Sequence, residues 1–227
     1  MNMKTKALSV LLAMLFATSA SAITLKFDDT TSATTNAQHT GASAEVTLMF
    51  SDNAVGEVQV DIMVKNTTGE TTFGAGATTS TLTGFAFNAI NGYSVLLSSV
   101  GSALDTFLTN VGNPSTGTFE WAFADNNNWQ GGNANNGLME GATDSMALLL
   151  STGTDDAADV EAAYASMFAA PSLGRTATLR YQQVNAGAGS DKLTWTGDDM
   201  TPVPLPAAGW MLIAAVGGLG AMRRRQK

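Results

Sequence analysis

The chain has 227 residues, with 19 acidic and 11 basic side chains, one histidine and no cysteine, for a formal charge of −8 at pH 7. The lack of cysteine excludes disulfides, thiol nucleophiles and thiolate metal sites, and a single histidine excludes a multi-histidine site. Residues 23–201 hold all nineteen acidic side chains against five basic ones (Lys26, Lys65, Arg175, Arg180 and Lys192), a formal −14 that repels phosphate and excludes nucleic acid as a partner.

The N-terminus has the three parts of a secretory signal peptide. Lys4 and Lys6 form the charged region, residues 7–17 are apolar and rich in Leu and Ala, and Ala20-Ser21-Ala22 is a small-residue cleavage site. Residues 1–22 are thus expected to be removed on export, so that the mature chain begins near Ile23. The apolar run is too short to span about 30 Å of hydrocarbon as an uncleaved anchor. Residues 23–201 are then an ordinary size for one domain.

This domain reads as strands separated by Gly, Asn, Thr and Ser loops. The clearest strand is 57–65, where Val58, Val60, Ile62 and Val64 alternate with Gln59, Asp61 and Met63. Period-two alternation puts one face in the core and the other toward water. Shorter runs of the same kind are 23–27, 44–50, 82–87, 93–97, 119–124, 146–150, 176–181 and 193–196. Phe119, Trp121 and Phe123 form an aromatic stripe expected to lie in the core. Asn91-Gly92, between two such runs, predicts a type I′ hairpin turn. His39 lies in a Thr/Ser/Ala-rich stretch and is expected to be a solvated loop residue.

One helix is predicted, over 155–168. Ala157, Val160, Tyr164, Met167 and Phe168 share a face at spacings of three and four. Asp155, Asp156, Asp159 and Glu161 crowd the first turns, where the helix dipole favours negative charge. Thr154 is the expected cap and Pro171 the stop. Many short strands, frequent turns and one inserted helix predict an all-β protein, an antiparallel β-sandwich or jelly roll.

The last 26 residues, 202–227, have a different character. Pro202-Val203-Pro204-Leu205-Pro206 is followed by an apolar run, 207–222, and then by Arg223, Arg224 and Arg225. Sixteen residues make about 24 Å of helix, slightly short for a membrane. Trp210 suits the outer interface, and the arginines suit the cytoplasmic side. With residues 1–22 cleaved, this order gives an exported domain tethered to the membrane by a C-terminal helix. The prolines hold the backbone extended and forbid helix. Such a segment serves equally as a stiff spacer or as a substrate for a protease cleft.

Val203-Pro204-Leu205-Pro206-Ala207, the Gly/Ala/Leu-rich helix and the terminal arginines together resemble the VPLPA variant of the PEP-CTERM sorting signal, found on exported proteins of Gram-negative bacteria. The resemblance covers about 25 residues. It implies recognition of Val203, Pro204, Leu205, Pro206 and Ala207 by an exosortase, a membrane-embedded cysteine transpeptidase. It also implies release or re-attachment at the cell surface or in the exopolysaccharide matrix, with a structural or adhesive role. The β-rich passenger, with stretches such as Leu82-Thr83-Gly84-Phe85-Ala86-Phe87-Asn88, is similar to those such tails carry, and this likeness names no activity.

Other constellations are weaker. Asp125-Asn126-Asn127-Asn128 offers oxygen ligands, yet the EF-hand pattern fails at its sixth and twelfth positions. Trp129 with Asn127 and Asn128 suggests a carbohydrate-binding loop, with exopolysaccharide as partner and the indole as stacking face; a polar surface loop tethered by its tryptophan is the simpler account. Asp155, Asp156 and Asp159 are explained by the helix terminus, and Asp198-Asp199 by solvation of the linker. Asn66-Thr67-Thr68 is formally a glycosylation acceptor. A secreted hydrolase would need two carboxylates facing each other across a cleft. No pair stands out, no nucleophile or metal motif is present, and neither enzymatic activity nor a cofactor is expected.

Overall fold

A computed structural model describes residues 21–28, 32–35, 39–113, 117–130, 134, 136–170, 176–187, 189–197 and 200–202. Thirteen strands and one helix are assigned there. They are β1 (Ser21–Phe27), β2 (Ser32–Thr34), β3 (Ala44–Ala54), β4 (Glu57–Asn66), β5 (Thr81–Phe87), β6 (Ser94–Ser99) and β7 (Thr106–Asn113). After these come β8 (Gly117–Ala124), β9 (Leu138–Met139), β10 (Thr143–Ser151), the helix α1 (Ala157–Ala169), β11 (Ala177–Gln182), β12 (Ser190–Trp195) and β13 (Met200–Pro202). The described residues are all-β with one inserted helix, as the periodicity predicts.

The strands form two antiparallel sheets, ordered β13-β1-β3-β4-β10-β6 and β2-β12-β11-β5-β8-β7, with β9 added to β5. Their inner faces share one core. In β4 the buried residues are Val58, Val60, Ile62 and Val64, so the alternation legible in the sequence is the alternation observed. Phe27 of the first sheet meets Trp195 of the second with ring centroids 5.4 Å apart. The helix packs into the same core: Tyr164 lies 5.8 Å from Phe50 in one sheet and 6.3 Å from Phe87 in the other. Its C-terminal end is tied to the second sheet, where the Trp195 indole N–H donates to the Phe168 carbonyl at 2.9 Å.

Three expectations need correction. Asn91-Gly92 makes a turn, with the Tyr93 N–H donating to the Ile90 carbonyl at 3.0 Å, but only Gly92 has a positive φ (+93°). Type I′ requires it at both positions, and β5 and β6 belong to different sheets, so this turn carries the chain between sheets instead of closing a hairpin. The helix cap is Asp156, not Thr154: its carboxylate accepts from the N–H groups of Ala158 and Asp159, both at 3.0 Å. The aromatic stripe of β8 is divided, with Trp121 and Phe123 in the inter-sheet core and Phe119 in a second cluster. Opposite Glu120, which separates them, Asn110 of β7 adopts a left-handed φ of +53° and interrupts the ladder.

Candidate functional site

The second cluster lies on the outer face of the second sheet and is built from small residues. Gly84 and Ala86 of β5 and Ala122 and Ala124 of β8 form a shelf on which the Trp129 indole rests, with Val111 and Phe119 beside it. A Cβ at position 84 would stand 2.5 Å from Trp129 Cζ3, so only glycine leaves room for the ring. Trp129 is 6 % exposed. A sugar-stacking platform needs an open ring face, and this indole is instead the anchor that fastens the Asn-rich loop to the sheet. Asn127 and Asn128 are exposed, and the loop is stiffened from within: Asn126 Oδ1 accepts from Asn128 N–H, and Asn128 Oδ1 from Gln130 N–H at 3.1 Å.

Beside this anchor sits the most buried basic side chain among the described residues. Arg180 on β11 is 8 % exposed and donates to the Gln130 carbonyl at 2.5 Å and to Thr83 Oγ1 at 3.5 Å. Burial lowers the pKa of its guanidinium from the ordinary value, and the nearby Asp125 carboxylate opposes that shift. Lys192 is lowered likewise, by burial first and by Arg180 second. The Arg180 bond to the Gln130 carbonyl holds this end of the loop on the sheet. Thr34 and Thr40 donate to the two carboxylate oxygens of Asp191 at 2.6 and 2.7 Å, which docks the segment after β2 in the same way.

The acidic residues Asp155 and Asp156 at the helix start have structural partners. Asp52, Asp155 and Asp156 line a shallow cleft of about 290 Å³ with Ala54, Val55 and Gly56. Asp52 accepts from the Ala157 N–H at 2.8 Å, Asp155 from the Tyr93 hydroxyl at 2.7 Å, and Asp156 caps the helix. Burial, then the bond to Asp155, pushes the Tyr93 phenol up to about 12. Among the described residues no group of three or more His, Asp or Glu side chains is placed to hold a metal ion. His39 is exposed, with φ +49°. Asn66 is fully buried, with its amide N–H groups donating to the carbonyls of Ser80 and Leu138, so the acceptor sequence at 66–68 is enclosed by the fold.

The expected sorting motif at Val203, Pro204, Leu205, Pro206 and Ala207, the apolar run to 222 and the arginines at 223, 224 and 225 lie outside the described residues, as do Ala20, Pro171, Asp198 and Asp199. No helix among the described residues is long and apolar enough to cross a membrane. What the fold does place is the root of the tail. Ile23 pairs with Pro202, Thr24 with Thr201 and Leu25 with Met200, so β13 closes the edge of the first sheet against β1. The end of the expected signal peptide runs straight into the same strand, where Ala22 pairs with Met49 and Ser21 with Phe50. Neither β13 nor this convergence was visible in the sequence; a three-residue strand ending in proline carries no periodic signal.

Comparison with protein-family models, with curated proteins and with solved structures finds no match to this chain.

Proposed function

We propose that this chain is an exported β-sandwich protein, held in the inner membrane by residues 207–222 until an exosortase processes it at 203–207. It is then retained at the cell surface or in the exopolysaccharide matrix in a structural or adhesive role. One observation carries this reading: the order of an extended proline motif, a marginal membrane span and a terminal arginine cluster in the last 26 residues, opposite a cleavable export signal. A membrane span shorter than the bilayer, ended by charges that do not cross, is a stop-transfer element. The proline-rich segment before it keeps an extended peptide at the membrane surface. The domain itself needs no chemistry in this role. Its formal −14 charge keeps it soluble and repels anionic lipid.

The test is mass spectrometry of the C-terminus of protein recovered from cells that contain or lack the cognate enzyme. Truncation near 203–207 that depends on the enzyme supports the proposal. An intact Lys227 as the only species in both backgrounds refutes it and leaves a permanently tethered protein.

A further inference from the structure

The two processing points read from the sequence meet at one strand pair. Ile23, the first residue expected after signal removal, lies opposite Pro202, and Val203 of the sorting motif follows Pro202 directly. β13 is three residues long, pairs with β1 alone and occupies the outermost place in its sheet. The register sends the chain out of β13 toward the end of the sheet where β1 begins and where the β3–β4 turn carries the fully exposed Val55.

This pairing fixes how far the domain stands from its anchor. With β13 in place, only four residues, 203 to 206, separate the sandwich from the apolar run at 207. Fully extended, four residues reach at most about 14 Å. Roughly 5 to 8 Å of that lies within the headgroup layer. The gap left is narrower than the 10–12 Å diameter of one helix with its side chains. No enzyme wall fits between domain and bilayer around the motif. With β13 released, the leash runs from the end of β12 at Trp195, so eleven residues, 196 to 206, reach up to about 40 Å.

We infer that β13 is a latch: docked on β1 it holds the sorting motif out of reach, and its release lengthens the leash so that the motif can enter a protease cleft. The inference rests on the sorting role proposed above and adds a mechanical condition to it. An extended substrate also pairs along its backbone edges, and a β13 bound to β1 has one edge already occupied. Release is easy for a short terminal edge strand, whose local opening lies at the low end of the stability range. After the cut, β13 redocks, and both new chain ends sit on the same corner of the sandwich, leaving the opposite sheet edge free.

The test locks the latch. Thr24 and Thr201 are directly opposite, Thr24 lies outside the core with its hydroxyl 3.0 Å from Thr47 Oγ1, and the chain has no other cysteine to mispair. Thr24→Cys with Thr201→Cys is expressed as the full chain, oxidised, and followed for loss of the tail, with Thr24→Cys alone as control. Oxidation should slow processing about tenfold or more, because cleavage tracks the population of the open form. Reductant should restore it, and so should a spacer of about eight Gly/Ser residues between Pro202 and Val203, which adds roughly 26 Å of reach. Processing of the oxidised chain at the wild-type rate overturns the latch. If wild-type chain is never cut in cells, the sorting role fails and the latch is judged by a non-specific protease added to the full chain in detergent. Cleavage within 196–206 that oxidation suppresses supports it, and equal cleavage of oxidised and reduced chains overturns it.

Discussion

The Trp129 indole lies over Gly84, close enough that a methyl group at position 84 would come within 2.5 Å of Cζ3 and 3.2 Å of Cε3 and Cη2. The ring and the glycine therefore form one unit, and the Asn-rich loop is held by it. Gly84→Ala should lift the indole from its shelf at a cost of about 1–3 kcal/mol, as overpacking does. Trp129→Ala should cost more, about 3–5 kcal/mol, because it empties the site. Thermal unfolding checks both, and the glycine variant should also red-shift the tryptophan emission. Trp129→Ala that abolished polysaccharide binding with an unchanged melting temperature would return the indole to a surface role.

Asp144 organises the loop between β6 and β7. Its carboxylate accepts from the N–H groups of Ser102, Ala103 and Leu104 at 2.9, 2.9 and 2.8 Å and from Ser145 N–H at 3.1 Å. Burial alone would raise this carboxyl group, but the amides together outweigh burial and hold it below the ordinary 3.8. A lowered folded value means stability that is complete above the unfolded value and lost as pH falls through the folded one. Asp144→Asn should therefore cost about 1.5–3 kcal/mol near neutral pH, the worth of hydrogen bonds to a charged group. The difference from wild type should shrink as pH drops below 3.8. Paired denaturant titrations at several pH values measure it, and a cost independent of pH would show that the charge is not what the amides hold.

How much of this was legible depends on whether a feature is local. β4 was readable because its partners on either side leave one face wet, so Gln59, Asp61 and Met63 alternate with buried valines and Ile62. The helix was readable for the same reason, through Val160, Tyr164 and Phe168 at spacings of four. β5 is buried along its whole length, Thr81 to Phe87, since the second sheet is covered on its outer face by the loop bearing Trp129. The shelf itself was written in the sequence as Gly84, Ala86, Ala122 and Ala124, small residues alternating with aromatics, but only the pairing of β5 with β8 brings them side by side. β2, β9 and β13 have two or three residues each and owe their existence to the strands they lie against. The Asn91-Gly92 signal specified a turn and could not specify which sheet the next strand would join.

Asp156 begins the helix through a reciprocal arrangement. Its side chain accepts from the Ala158 and Asp159 N–H groups, while Asp159 Oδ2 accepts from the Asp156 N–H at 3.5 Å. Asp52, on the far side of the cleft, accepts from Ala157, so all four N–H groups left unpaired at the helix start, those of Asp156, Ala157, Ala158 and Asp159, are satisfied by carboxylates. Asp156→Ala should destabilise the protein by about 0.5–2 kcal/mol and Asp156→Asn by less, since asparagine also caps. Because both Asp52 and Asp156 serve the same helix end, their alanine variants should be non-additive. A double-mutant cycle by chemical denaturation tests this, and strict additivity would mean that the two carboxylates act on separate elements.

The arginines at 223, 224 and 225 are proposed to stop the tail from following the domain across the membrane. Moving Arg or Lys to a bilayer centre costs about 2.5–3.5 kcal/mol per residue on insertion scales. Three adjacent charges therefore outweigh the weak pull of a glycine-containing run of sixteen residues. Replacing all three with glutamate removes the positive-inside signal, to which acidic residues contribute little. The precursor should then lose membrane retention and appear, uncut, in the soluble exported fraction, where no membrane-embedded enzyme can reach it. Replacing them with lysine should leave fractionation and processing near wild type, because the rule depends on positive charge and not on the guanidinium fork. Unchanged membrane retention of the glutamate variant would show that the apolar run holds the bilayer without a charge stop.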